Sequence, residues 1–340
     1  MQQPTGNWWQ RAAFHGAVLL VLRLGGHPLA AVAASPENSG EVQFTPAKDE
    51  AGLPVMFQLP THRFTFQQKP VDTYSTTMDI SLVTFPSPVE TPHPANNTVH
   101  CEYFRPLTPG RHRAVIVLHI LGGDFDLARL FSRYLAHHGV AALFLKMPYY
   151  GPRRDPQSSV RMVSSDIRAT VAGMRQAVLD IRQAAAWLAS REEIDSDQLG
   201  VFGISLGGIT GALAATAEPR LTNVCLMLAG GDVGQVAWAA RELAPLRNRW
   251  QAEGRSKEEF FALLKTVDPV TYAQSVPGRR MLLINASHDE LIPRACTESL
   301  WRAFGRPPIV WLDAGHYSAM FYLFDGLDRV ARFFQPPPAG

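Results

Sequence analysis

The 340 residues, 46% of them hydrophobic and 18% charged, are enough to bury a full core and exclude a disordered chain. With 32 Lys and Arg against 30 Asp and Glu, the formal net charge is +2 and no basic run exceeds a pair, which excludes a nucleic-acid footprint. Cys101, Cys225 and Cys296 form no C-x-x-C pair and have no His at ligand spacing, which argues against a zinc site or a disulfide framework.

At the N-terminus, Arg11 precedes the apolar stretch "AAFHGAVLLVL", and Ala31 to Ala33 offer an A-x-A arrangement of small residues. This is the pattern of a signal peptide over 1–33, so export to the periplasm or medium is expected. The uninterrupted apolar run from Gly16 to Leu22 falls far short of the roughly 20 residues a membrane span needs, so stable membrane insertion is not expected. From 34 to 109 the chain is rich in Pro, Thr and alternating apolar residues; "DISLVTF" and "TVHCEYF" read as antiparallel lead-in strands around the turn-forming "PSPVETPHPANN". Asn96-Asn97-Thr98 fits a glycosylation acceptor, which matters only in a eukaryotic secretory host.

Over 110–336 the rhythm changes to alternating strands and helices. "AVIVLHI" is a continuous apolar run suited to a parallel strand buried on both faces, and "VAALFLKM", "QLGVFGIS", "LTNVCLMLA", "RMLLINAS" and "PIVWLDA" repeat the pattern. Between them, Leu127, Leu130, Phe131 and Leu135 make one helical stripe, and Ile167, Val171, Met174, Val178, Ile181 and Leu188 make another on a helix from about 165 to 190. "YSAMFYLFDGLDRVARFF" reads as a closing amphipathic helix. Such alternation predicts an α/β fold with a mainly parallel sheet and helices on both faces. The stretch 233–266, with Trp238 and Trp250, is too long for an ordinary crossover and is expected to form a small helical cap.

Gly203-Ile204-Ser205-Leu206-Gly207 is G-x-S-x-G set between a strand and a helix, the context in which that motif raises a serine above a sheet. A serine in such a corner takes a strained backbone, its flanking glycines removing Cβ atoms that would collide with the neighbouring strand and helix. Ser205 is therefore the expected nucleophile, and the N–H of Leu206 an expected oxyanion donor. A serine hydroxyl needs a base and an orienter. Asp289, after the strand "RMLLI", and His316, after the last strand, supply them in the order Ser205, Asp289, His316. Asp232 also ends a strand and is the rival acid; Glu290 is adjacent but expected to point elsewhere, and Asp313 to serve a turn or the surface. His137 and His138 are expected to be solvated, and His288 to be a neighbour of the site. The second oxyanion N–H is expected from the loop "LHILGGDFD", from Ile120 or Leu121, with Leu121 preferred. Tyr149, Tyr150, Arg153 and Arg154 follow a strand and are candidate contacts to an acidic or sugar-bearing substrate, or else a Pro/Gly loop whose arginines pair with surface carboxylates.

With "LHILGGDFD", "GISLGG", "HDELIP" and "AGHYS" in this order, the chain from about Ala114 to Phe334 resembles the α/β-hydrolase superfamily, in particular its dienelactone-hydrolase-like and acetyl-esterase-like branches. The resemblance implies an eight-stranded, mostly parallel sheet and cofactor-free ester hydrolysis; the residues themselves lead one to expect an acyl-enzyme on Ser205 and no metal. Ile120 departs from the pattern, since many members carry glycine after the strand-ending histidine; so does Ser205, where dienelactone enzymes typically use cysteine. A carboxylesterase acting on a small-molecule ester is expected, with a peptidase or amidase of the same fold, or a non-catalytic binding member, as alternatives. The oligomeric state is left open.

Overall fold

The computed structural model describes residues 37–47, 50–71, 75–123, 125–275 and 278–336; the expected signal peptide at 1–33 lies outside them. Among the described residues, ten strands form one sheet. Its parallel part comprises β5 (His112–Leu118), β6 (Ala141–Lys146), β7 (Ile194–Ile204), β8 (Leu221–Met227), β9 (Arg280–Ala286) and β10 (Ile309–Leu312). They lie in the order β6-β5-β7-β8-β9-β10, every neighbouring pair parallel. The continuous apolar runs explain their place, for all six residues of β6 are buried, as are all but one of β5.

Four antiparallel strands extend this sheet beyond β6: β1 (Asn38–Phe44), β2 (His62–Pro70), β3 (Met78–Pro86) and β4 (Thr98–Pro106). The sheet is therefore ten-stranded and mixed rather than the eight-stranded, mostly parallel one expected. The difference comes from β1 and β2, where Val42 and Phe44, and then Phe64 and Phe66, alternate with exposed polar residues and so bury one face only.

Helices cover both faces. On one side lie α1 (Phe125–His137) and the closing helix; on the other, α2 (Ile167–Ala189), α3 (Leu206–Ala217) and four shorter helices. These are α4 (Val233–Ala239), α5 (Ala244–Ala252), α6 (Lys257–Lys265) and α7 (Arg294–Ala303). Helices α4 to α6 fill the 233–266 stretch, with Trp238, Trp250 and Phe260 packed edge to face. The closing helix, α8, spans only Leu323–Phe334, later than expected; Ser318–Tyr322 is a tighter 3-10 turn. Ala319, Met320, Phe321 and Tyr322 follow one another without an apolar stripe, so no single helical face forms before Leu323.

Helix α2 is buried on nearly every side, polar residues included, because the chain before β3 and the connection from β3 to β4 lie across its outer face. Arg182 reaches Glu50, Glu218 and the Phe57 carbonyl; Gln183 meets His62 and the Pro86 carbonyl; Gln176 takes Asn96 and Ser87. Each of these side chains has a partner, as burial in a low-dielectric interior requires.

Candidate active site

At the C-terminal end of β7 the chain turns into α3 through Ser205, whose φ of +56° is a strained value for a residue with a Cβ. The turn is this tight because Gly203 and Gly207 touch. A Cβ on Gly203 would lie 2.2 Å from the Gly207 carbonyl oxygen, and one on Gly207 would lie 2.6 Å from the Leu118 carbonyl oxygen. The Ser205 N–H is held by the Met227 carbonyl at 2.9 Å, which leaves the hydroxyl facing upward from the sheet edge.

His316 follows β10, and its Nε2 stands 3.0 Å from Ser205 Oγ. Its Nδ1 lies 2.8 Å from Asp289 Oδ2, which makes Nδ1 the protonated nitrogen and Nε2 the acceptor facing the serine. Asp289 follows β9; its other oxygen, Oδ1, accepts the N–H groups of Leu291 at 2.9 Å and Ile292 at 2.7 Å, so the carboxylate has a single orientation. All three side chains are largely withdrawn from solvent, with Ser205 6% exposed and His316 8%.

Two loops are fastened to each other to achieve this. The Ser287 and His288 N–H groups donate to the Leu312 and Ala314 carbonyls, and Glu290 Oε2 accepts the N–H of His316 at 2.8 Å. Glu290 does not point away, as the sequence led one to expect; it anchors the backbone of the histidine beside it. The Glu290 carboxylate occupies the space beside Gly315, where a Cβ would come within 2.4 Å of Oε2. Asp232, the rival acid, is exposed at the N-cap of α4 with φ +50°, and His316 bonds to Asp289 instead. Asp313 pairs with His288 on the surface at 3.0 Å.

The loop after β5 forms the opposite wall. His119 is buried, its Nε2 accepting the Met147 N–H at 3.1 Å and its Nδ1 donating to the Ile120 carbonyl at 2.9 Å. Burial lowers its pKa to about 4, partly offset by the Ile120 carbonyl, with the nearby Lys146 and Arg153 charges pushing the same way as burial. The imidazole is thus neutral and joins the loop after β5 to the loop after β6. Gly122 and Gly123, at φ +95° and +72°, let the turn pass close to Tyr150, where a Cβ on Gly123 would meet the ring at 2.8 Å. Leu121 lines the space beside Ser205, and Leu206 is the first residue of α3.

Arg153 does not face this space. It is fully buried, paired with Asp180 at 2.8 Å and donating to the carbonyls of Lys146 and Asn96. Tyr150 packs on His119 and Tyr149 accepts a positive φ next to Asn96, while Arg154 is exposed. The loop is therefore a structural one, but neither reading of "KMPYYGPRRD" describes it fully: Arg153 faces no substrate space, and the carboxylate it pairs with is buried on α2 rather than at the surface.

Over Ser205 opens a cavity of about 550 Å³ that descends on the α1 and α8 side of the sheet. Its walls are overwhelmingly apolar; besides Ser205 and His316, the polar side chains are Glu242 and Tyr317, hydrogen-bonded to each other at 3.0 Å. That bond joins the 3-10 turn before α5 to the loop carrying His316. Tyr317, Met320, Phe321 and Phe324 border the cavity, although they were expected within the closing helix; the run of adjacent apolar residues was the available signal.

A sheet with a parallel centre, helices on both faces and a serine raised at a strand-to-helix corner define a hydrolase of the α/β kind. Comparison with known proteins agrees: a family described as alpha/beta hydrolase domain containing 18 matches residues 71–239, and the prolyl oligopeptidase family matches residues 174–306. The chain has the α/β-hydrolase fold. Uncharacterized proteins from two strains of Mycobacterium tuberculosis are 30% identical over 196 residues, 56% of this chain and 46% of each relative. The chain thus spans about half the length of these curated relatives. Among solved structures, acetyl xylan esterase 1 from Thermoanaerobacterium sp. JW/SL YS485 is similar with a TM-score of 0.64 at 18% identity, covering 79% of this chain and 88% of that one. An acetyl xylan esterase from Paenibacillus sp. R4 gives 0.63 at 20% identity, covering 82% and 90%.

Proposed function

We propose that the protein is a serine-dependent carboxylic ester hydrolase working through an acyl-enzyme. The observation that carries this is the continuous hydrogen-bond chain from Asp289 through His316 to Ser205, opening on an apolar cavity. In the first step Ser205 Oγ attacks the ester carbonyl carbon and its proton passes to His316 Nε2. The carbonyl oxygen gathers negative charge and is met by the N–H groups of Leu206, reinforced by the α3 dipole, and Leu121. His316 then returns its proton to the departing alcohol. In the second step water attacks the acyl-enzyme with His316 as base, and the acid leaves as Ser205 regains its proton. Asp289 holds the imidazole in one tautomer throughout and stabilises the imidazolium formed in each step.

Peptide hydrolysis is the second reading, favoured by the prolyl oligopeptidase match over 174–306. Against it, the cavity walls offer one carboxylate, Glu242, and among the described lining residues no Arg or Lys to hold a peptide terminus. The test pairs wild type with Ser205→Ala on p-nitrophenyl esters and the matching p-nitroanilides, alongside labelling by a fluorophosphonate probe. The expected result is ester turnover and labelling in wild type, with kcat down about 10⁴-fold or more and labelling abolished in the variant. Anilide turnover that outpaces the esters would favour the peptidase; absence of both turnover and labelling in folded wild type would remove the hydrolytic reading.

A further inference from the structure

On the esterase reading above, we infer that the substrate's acyl group is a linear, uncharged hydrocarbon chain of medium length, eight to ten carbons, bound in the closed lobe of the cavity over Ser205. Size is the first reason. At roughly 30 Å³ for each water-sized group, a cavity of 550 Å³ holds about 18 such groups, far more than an acetyl unit fills. An octanoyl or decanoyl chain with its ester and the start of the alcohol matches that capacity.

Lining is the second reason. The deep end is closed by Leu127, Phe131, Ile204, Met227 and Leu323, each at most 7% exposed, so an occupant meets hydrocarbon without a hydrogen-bond partner. A sugar or a hydroxylated chain would leave its polar groups unpaired there, at a cost that a methylene chain does not incur. Glu242 borders the cavity and carries no basic neighbour among the described lining residues, which repels an acyl chain bearing a second carboxylate.

The geometry also separates acyl from alcohol. The leaving oxygen must lie within reach of His316 Nε2, because that nitrogen gives it a proton. The segment running on from His316 forms the open rim, with Tyr317, Phe321 and Phe324 48%, 90% and 66% exposed. Alcohol therefore departs by the rim, and the acyl chain occupies the closed side lined by α1 and the strand ends. A strongly hydrated substrate has no use for a rim of exposed aromatic side chains, whereas a lipophilic one withdraws apolar surface from water when it meets them.

The experiment measures kcat/KM of the full chain on p-nitrophenyl acetate, butanoate, hexanoate, octanoate and decanoate, and separately on acetate esters of alcohols of the same lengths. Expected is a rise of about fourfold per added acyl methylene up to octanoate or decanoate, with little dependence on alcohol length. Narrowing the lobe with Ala319→Phe, or with Leu323→Phe should the first not fold, is expected to cut the octanoate-to-acetate ratio of kcat/KM by at least tenfold. A profile that peaks at acetate, or a ratio unmoved in both variants, would overturn the chain-length inference while fluorophosphonate labelling kept the esterase reading intact. Preference following the alcohol instead would overturn the acyl placement, and loss of labelling and of all turnover in wild type would bring down both.

Discussion

Asp289 and His119 show how much one side chain decides. Asp289 spends one oxygen on His316 and the other on two backbone N–H groups, so its amide analogue would present an N–H to at least one donor already there. Asp289→Asn is expected to lower kcat by about 10⁴-fold, as a wrongly held imidazole tautomer does, while Asp232→Asn leaves kcat within about twofold; steady-state kinetics on one ester checks both. His119 carries a pH signature. Its ordinary value of 6.5 falls to about 4 in the folded chain, so the unfolded chain takes up a proton that the folded one refuses between those values. The stability it contributes is complete above pH 6.5 and is lost as pH falls to 4, on the order of 3 kcal/mol for a group so deeply buried. Urea midpoints from pH 7 to 4 should drop steeply in wild type and less steeply in His119→Gln, whose amide can still both accept and donate.

Among the elements, α2 and the loop holding Arg153 show where sequence patterns stop being readable. The parallel strands, the G-x-S-x-G corner and the order of serine, aspartate and histidine are local facts of composition and spacing, and the fold brings those three side chains within hydrogen-bonding distance. Arg153 is different: nothing within "KMPYYGPRRD" distinguishes it from Arg154, and its burial depends on Asp180, which lies on α2. The apolar stripe of α2 was visible, but the covering of its polar face by Glu50 and His62 required knowing that β1 and β2 join the sheet, and that by Asn96 required knowing where the β3–β4 connection folds. Glu290 escaped for a similar reason, because its partner is a backbone N–H that only loop geometry brings near. Removing one member of a fully buried pair leaves an uncompensated charge, so Arg153→Ala is expected to cost about 3–5 kcal/mol. Arg154→Ala, on the exposed neighbour, should stay within about 0.5 kcal/mol, both read from urea unfolding.

At the scale of the whole molecule, the composition shift near residue 109 looks like a border between a lead-in segment and a catalytic body, yet β4 pairs directly with β6 and the sheet runs through without a break. The covering of α2 from its outer side has a thermodynamic consequence. Stripping the N-terminal strands away would expose Arg182, Gln183 and Gln176 together with the aromatic layer of Phe44, Phe57 and Trp187, so neither part can lose its order while the other keeps a satisfied interior. Scanning calorimetry is expected to show one heat-absorption peak whose calorimetric and van't Hoff enthalpies agree; two resolved peaks would contradict this. A chain built in this way has no partly melted form in which the serine corner survives alone, and its hydrolytic competence should disappear over the same few degrees as its N-terminal strands.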